Sequence, residues 1–124
     1  MPVKPLNASS LKALLERMEY ARGGEIRSLI LHSATSIEIR FSVQDSARDY
    51  DWIDTAFRID GVNDAKLLSD TILKTFDMSE GITAEIVNSG TCALALGNYN
   101  GRVSEAPFYI IGTSLGYEEL PFSG

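Results

Sequence analysis

The chain has 124 residues, a length that fits one domain, which we assign to residues 1–124. Hydrophobic residues make up 44% and charged residues 23%, as in globular proteins that bury a core without a disulfide or metal. The single cysteine excludes an internal disulfide framework. No run approaches the roughly 20 apolar residues of a membrane span, and the N-terminus does not resemble a signal peptide. We therefore expect a cytoplasmic protein without a membrane partner.

The net charge of -6 is unevenly spread along the chain, and its acidic residues are densest in one short segment. Residues 45–64 carry six acidic and two basic side chains, whereas the first 44 residues are slightly basic. An acidic surface repels a phosphate backbone, so nucleic acid is not an expected partner. A basic protein partner fits this charge better. The alternative is that the excess acid only aids solubility.

The first predicted element is a helix over residues 7–22. Apolar residues recur there at the spacing of one helical face, at Leu11, Leu14, Leu15 and Met18. Ser9 or Ser10 is the expected N-cap, because a hydroxyl oxygen accepts from a first-turn N–H. The pair Gly23-Gly24 is expected to end the helix. Residues 1–6, which contain two prolines, are predicted to be extended.

Three strands are predicted next, over residues 26–32, 37–44 and 52–60. The second has the clearest pattern, since Ile37, Ile39, Phe41 and Val43 alternate with Glu38, Arg40, Ser42 and Gln44. One polar face favours an antiparallel sheet, because parallel sheets are covered on both sides. In the third strand, Trp52, Asp54, Ala56 and Arg58 face away from the apolar side chains. Residues 45–51 are predicted to be a loop.

The second half is predicted to hold one helix and three strands. The helix spans residues 63–76 on the apolar positions Ala65, Leu68, Ile72 and Phe76, with Asn63 or Asp64 as its cap. The strands span residues 82–86, 92–96 and 108–111, and residues 97–101 form a turn. Residues 116–124 are predicted to be a loose tail. The predicted fold is therefore α+β in the order α-β-β-β-α-β-β-β, with five to six mainly antiparallel strands and one or two helices on one face.

The sequence contains one histidine and one cysteine, and neither indicates catalysis. His32 ends an apolar strand, and Cys92 leads into an apolar run where a buried thiol packs as a small hydrophobe. A Cys92–His32 dyad is the alternative that the sequence leaves open. Zinc prefers several nitrogen and sulfur ligands, so we expect no metal and no cofactor.

The most unusual feature is an acidic segment interrupted by aromatic residues. Its acids are Asp45, Asp49, Asp51, Asp54, Asp60 and Asp64, with Tyr50 and Trp52 among them. They do not follow the spacing of a calcium-binding EF-hand loop. Aromatic anchors ringed by carboxylates suit a protein interface with a basic partner. The predicted binding residues are Asp49, Tyr50, Asp51, Trp52, Asp54, Glu118 and Glu119.

Three segments resemble small immunity proteins of bacterial polymorphic-toxin systems. They are residues 57–68, the strand Phe108-Tyr109-Ile110-Ile111 and the closing Gly116-Tyr117-Glu118-Glu119-Leu120. The resemblance implies an acidic, cytoplasmic, non-enzymatic protein that blocks a toxin by binding it. It implies no particular functional residues.

Three hypotheses follow. The first is a non-catalytic protein-binding domain, with an immunity role as one form of it. The second is a small-molecule or enzymatic site in a pocket of a curved sheet, which needs convergent polar groups. The third is a homo-oligomeric domain whose final strands pair across a two-fold axis.

Overall fold

The computed structural model describes residues 4–87 and 90–121, which form nine strands and two α-helices. The strands are β1 (Lys4–Pro5), β2 (Glu25–Ser33), β3 (Ser36–Asp45), β4 (Asp51–Asp60), β5 (Asp64–Lys66), β6 (Ile82–Ile86), β7 (Cys92–Leu96), β8 (Tyr109–Gly112) and β9 (Ser114–Leu120). The helices are α1 (Ala8–Arg17) and α2 (Asp70–Lys74).

The strands form two antiparallel sheets rather than one. A five-stranded sheet has the order β1-β9-β4-β3-β2, and a four-stranded sheet has the order β5-β8-β7-β6. The α+β class and the antiparallel pairing are confirmed. The predicted single sheet of five to six strands and the predicted element order are not what the structure shows.

The main core lies between the two sheets. The five-stranded sheet contributes the alternate positions of β3 and β4, which include Ile39, Phe41, Phe57 and Ile59, all fully buried. They pack into one cluster with the four-stranded sheet's Leu94, Leu96 and Ile110, and with Leu11, Leu14 and Leu15 of α1. This packing explains the strict period of two in β3 and β4, because a slip of one residue would turn every apolar side chain outward.

The two sheets are in close contact where the chain crosses between them. It leaves β4 at Gly61 and returns through Thr113, whose N–H donates to the Asp60 carbonyl at 3.0 Å. At Gly112 a Cβ would lie 2.6 Å from Cγ2 of Ile59 and 2.7 Å from the Asp60 carbonyl oxygen. Only glycine fits this crossing without displacing backbone.

The first helix is shorter than predicted. It ends at Arg17, and its cap is Asn7, whose side chain accepts from the Ser10 N–H at 2.8 Å while the Ser10 hydroxyl accepts from the Asn7 N–H at 2.9 Å. The Ser9 or Ser10 cap is therefore wrong, although Ser10 takes the reciprocal role. Residues 19–21 form a separate turn with positive φ angles instead of continuing the helix to Gly23.

The predicted helix over residues 63–76 is wrong for most of its length. Residues 64–66 form β5 against β8, and only α2 is helical. Within α2, Leu73 is buried whereas Ile72 is half exposed. Pairing with β8 decides the conformation of residues 64–66, and helix forms only in α2, where the β-branched Thr71 and Ile72 do not prevent it.

The loose tail and the long loop are also corrected. Residues 116–120 belong to β9, which pairs with β4 along its length, and its Tyr117 ring lies 5.7 Å from the Phe57 ring. The loop between β3 and β4 is restricted to residues 46–50. Of the predicted extended lead-in, residues 4–5 pair with β9. The predictions for residues 1–3 and 122–124 lie outside the described residues.

Candidate functional site

Two exposed aromatic side chains lie at the end of the β3–β4 hairpin. We define this hairpin end as residues 46–52, in which Tyr50 is 50% and Trp52 40% exposed. The turn is held by Asp45, whose carboxylate accepts from the Ala47 N–H and whose carbonyl accepts from the Tyr50 N–H, both at 2.9 Å. Asp49 and Tyr50 have φ angles of 54° and 63°, an unusual pair for residues other than glycine. These two hydrogen bonds close the turn at the hairpin end.

An ion cluster ties the hairpin end to the rest of the fold. It consists of Arg17, Asp45, Arg48 and Glu119. Asp45 is almost fully buried, with Arg17 Nε at 3.0 Å and Arg48 Nε at 3.5 Å from its carboxylate oxygens. Arg48 also forms a two-point contact with Glu119, at 2.6 and 3.1 Å, and these hydrogen bonds raise the pKa of its guanidinium. The cluster links α1, the β3–β4 hairpin and β9.

The face of the five-stranded sheet turned away from the core carries a second polar network. We call it the outer face; on β3 and β4 it consists of residues 36, 38, 40, 42, 44, 52, 54, 56, 58 and 60. Glu38 is only 4% exposed there. One of its carboxylate oxygens lies 2.8 Å from His32 Nε2, and the other accepts from Arg40 Nε at 2.5 Å. The predicted polar face is therefore an ordered network rather than a simply solvated surface.

Two carboxyl groups of the outer face have lowered pKa values. Burial raises the pKa of Glu38, but the hydrogen bonds and charges of Arg40 and His32 outweigh burial and leave the net pKa below its usual value. The pKa of Asp60 is lowered chiefly by the Ser36 hydroxyl, which donates to it at 2.6 Å, and further by Arg58. Both groups favour the charged form in the folded state.

The lowered pKa of Glu38 predicts a pH dependence of stability. Its contribution is complete above the unfolded value of 4.5 and is lost as the pH falls through the folded value. We expect Glu38→Gln to lower the free energy of unfolding by about 1–2 kcal/mol at pH 7 and by less at pH 3. Urea unfolding from pH 7 to pH 3 measures this difference. Glu25→Gln, at an exposed carboxylate, is the control and should change stability by about 0.5 kcal/mol or less at pH 7. A Glu38→Gln deficit that stays constant from pH 7 to pH 3 would contradict the prediction.

A cleft opens on the same side of the sheet. It encloses about 430 Å³ and is lined by Arg27, Ser28, Arg40, Asp54, Leu120 and Pro121. Asp54 accepts a hydrogen bond from the Ser42 hydroxyl at its base. The cleft combines ionic groups with an apolar wall, and it borders the Glu38 network through Arg40.

The predicted binding residues do not form one acidic surface. Asp49, Tyr50, Asp51 and Trp52 lie together on the exposed hairpin end. Asp54 lies on the outer face but is buried, and Glu118 is half-buried opposite Ala56 on that same face. Glu119 points to the opposite side of β9 and belongs to the ion cluster. Neighbouring residues of a strand face opposite ways, so Glu118 and Glu119 cannot share a surface.

The alternative of a Cys92–His32 dyad is not formed. His32 contacts Glu38 on the outer face, whereas Cys92 is 2% exposed in the core between the sheets. Burial raises the pKa of the Cys92 thiol, which opposes nucleophilic reactivity at neutral pH.

Several residues of the site were not predicted from the sequence. No sequence pattern singles out Arg17 or Arg48, and Asp45 belongs to the acidic segment but is predicted to lie in a loop and not in a buried ion cluster. Glu38 and Arg40 were visible as alternate polar positions of one strand, a spacing that places both on one face. Arg48 pairs with Glu119, which lies 71 positions away in the sequence, so no local sequence pattern predicts this contact.

Comparisons of the chain with protein-family models, with curated proteins and with solved structures gave no match. Within residues 4–87 and 90–121, no group of three or more histidine, cysteine, aspartate or glutamate side chains is arranged to hold a metal ion. None of the helices in the described part of the chain is long and apolar enough to cross a membrane.

Proposed function

We propose that this protein is a non-catalytic binding domain that recognises another protein through its hairpin end and the adjoining outer face. The observation that carries this proposal is the exposure of Tyr50 and Trp52 on a turn held by Asp45 and the ion cluster. Aromatic side chains dominate the binding energy of many interfaces. A turn that is already ordered loses little conformational entropy on binding, which favours affinity.

The partner that best fits this surface is a basic protein. Asp49 and Asp51 lie on either side of Tyr50 in the sequence, and both are exposed. Asp54 and Glu119 contribute less than predicted, since Ser42 and two arginines respectively contact their carboxylates. The resemblance to immunity proteins supports one form of this proposal, in which the partner is a toxin domain.

Truncation of Trp52 tests the binding surface. In quantitative affinity capture from the source cells, we expect Trp52→Ala to reduce recovery of the specific partner at least tenfold, since anchor residues contribute about 2 kcal/mol or more. Ile72→Ala is the matched control, because Ile72 is as exposed as Tyr50 but lies on α2. Partner recovery should also fall as salt rises, because exposed charges are screened.

Two results would count against the protein-binding proposal. One is a partner retained equally by Trp52→Ala and Ile72→Ala. The other is a complex that does not respond to salt, which would remove the role of Asp49 and Asp51.

The cleft beside Arg40 supports a second candidate, a small-molecule site. Its volume and its mixture of arginine, carboxylate and apolar groups meet the requirements of such sites. The two candidates differ in their dependence on Trp52, which does not line the cleft. A ligand whose binding depends on Arg40 and not on Trp52 would favour the second candidate.

A further inference from the structure

Strand β6 forms an edge of the four-stranded sheet. The Val87 N–H donates to the Thr91 carbonyl at 2.9 Å, and the Gly97 N–H donates to the Gly81 carbonyl at 2.8 Å. In an antiparallel pair, every second residue of a strand directs its backbone N–H and C=O groups toward the neighbouring strand. In β6 these are the odd-numbered residues, whose backbone groups bond to β7. The backbone N–H and C=O groups of Ile82, Ala84 and Ile86 therefore point away from the sheet.

This edge differs from β2, the longer of the two edge strands of the five-stranded sheet. Strand β2 has irregular pairing between Ile26 and Ser28 and again between Leu31 and Ser33. Such bulges discourage the addition of another strand. Strand β6 pairs with β7 in unbroken register over all five residues. Its outward backbone groups therefore form a regular template.

The edge of β6 lies at the bottom of a groove. Two adjoining hollows of about 250 and 330 Å³ follow it and share Leu15, Tyr20, Ala84 and Asn100. Residues of α1 and Tyr20 form one wall. The turn at Asn98 and Asn100 forms the other wall. Two hydrogen bonds anchor this turn to β6: the Thr83 hydroxyl donates to the Gly97 carbonyl at 2.7 Å, and the Glu85 carboxylate accepts from the Gly101 N–H at 2.7 Å.

The wall at Tyr20 is made of strained backbone. Glu19, Tyr20 and Ala21 have φ angles of 54°, 57° and 60°, and three consecutive left-handed residues other than glycine are costly. The Tyr20 carbonyl packs against Gly81, where a Cβ would lie only 2.2 Å from it. The Arg22 guanidinium lies 5.2 Å from the centre of the Tyr20 ring. Strain of this kind concentrates at binding sites.

We propose that this groove binds an extended peptide segment of a partner protein, which adds to β6 as a further strand. The outward groups of Ile82, Ala84 and Ile86 supply the main-chain hydrogen bonds. Alternate side chains of the peptide contact the exposed or partly exposed apolar groups of Ala8, Tyr20 and Ile86 that line the groove. The lining charges balance, with Lys12 and Arg22 against Glu80 and Glu85. The segment therefore carries apolar residues at alternate positions and little net charge.

A second copy of the chain fits this edge less well. Both walls rise beside β6, and in a two-fold pairing the walls of one copy would meet those of the other. An extended peptide segment has no flanking helix or turn that would clash with these walls. Because the groove is electrically balanced, its binding should vary little with salt, unlike that of the hairpin end.

The experiment uses a display library of random heptapeptides. Peptides that bind the full chain are kept, and those that also bind the Ala84→Pro variant are removed. Proline removes one outward N–H of an edge strand without breaking a bond to β7. We expect enriched peptides with alternating apolar residues, which bind Ala84→Pro at least tenfold more weakly in fluorescence anisotropy. Ala84→Ser keeps the N–H and should bind like the wild type. N-methylation of the peptide amides that face β6 should abolish binding, whereas N-methylation of the intervening amides should not.

Three results would overturn the proposal. The first is that no peptide is enriched on the wild type over Ala84→Pro, with circular dichroism showing both folded. The second is that enriched peptides ignore the position of N-methylation. The third is a dimer in light scattering that Ala84→Pro converts to a monomer, which would assign the edge to a second copy. Trp52→Ala leaves the groove intact and should not affect these peptides, so the outcome is independent of the hairpin end.

Discussion

Asp45→Ala is expected to lower the free energy of unfolding by about 2–4 kcal/mol. The substitution removes the carboxylate that holds Arg17 at 3.0 Å and the turn hydrogen bond to the Ala47 N–H. Asp45 is 1% exposed, so its removal also leaves a cavity beside the arginines. Arg17 is about one-third exposed, so water solvates its guanidinium once the carboxylate is removed. The expected loss of stability therefore lies toward the lower end of this range.

Urea unfolding monitored by Trp52 fluorescence measures this loss. Asp51→Ala is the matched control, because Asp51 lies opposite Asp45 in the same hairpin but is exposed. It should change stability by about 0.5 kcal/mol or less. Asp45→Ala should also weaken capture of the partner beyond the fraction unfolded, since it loosens the turn that presents Tyr50. Equal stability of the two variants would show that the ion cluster does not hold the hairpin end.

Gly112→Ala is expected to lower the free energy of unfolding by about 2–4 kcal/mol, because the new methyl group overpacks the crossing between the sheets. It would meet Cγ2 of Ile59 and the carbonyl oxygen of Asp60 at distances that no relaxed contact allows. The Asp60 carbonyl cannot retreat freely, since it accepts from the Thr113 N–H. Relieving the overlap of the new methyl group with these atoms therefore requires the two sheets to move apart locally.

Gly23→Ala provides the comparison for Gly112→Ala. Gly23 has a φ of 75°, and a Cβ at this position would meet no atom within 4 Å. Its substitution therefore costs only the left-handed backbone penalty of about 1 kcal/mol. Thermal and urea unfolding of both variants separate crowding from backbone strain. Equal losses would mean that the crossing at Gly112 relaxes without cost.

The strands that the sequence predicted well are β3, β4, β6 and β7, whose apolar side chains pack in or against the core. Strands β6 and β7 begin and end where the pattern predicted, and β3 and β4 differ by a residue or so at their ends. The period of two is a local property of the chain, and the burial of Ile39 and Phe57 is what maintains it.

The errors fall where pairing between distant segments decides the conformation. Residues 64–66 became a strand because β8 pairs with them, and residues 116–120 became a strand because β4 and β1 do. Neither segment alternates apolar and polar residues clearly enough to predict a strand or the strand with which it pairs. The cap at Asn7 was missed for a different reason, since Asn7, Ser9 and Ser10 are all competent caps and only the first turn's geometry selects one.

The sequence by itself determined the antiparallel α+β class, the core positions of the central strands and the aromatic pair Tyr50 and Trp52 within the acidic segment. Each depends on residue type and on spacing within one element. Only the tertiary structure decided that the strands divide into two sheets, that Glu119 pairs with Arg48 and Arg17, and that β6 borders an open groove. These features depend on contacts between residues far apart in the chain, which follow from the packing of the whole domain and leave no local pattern.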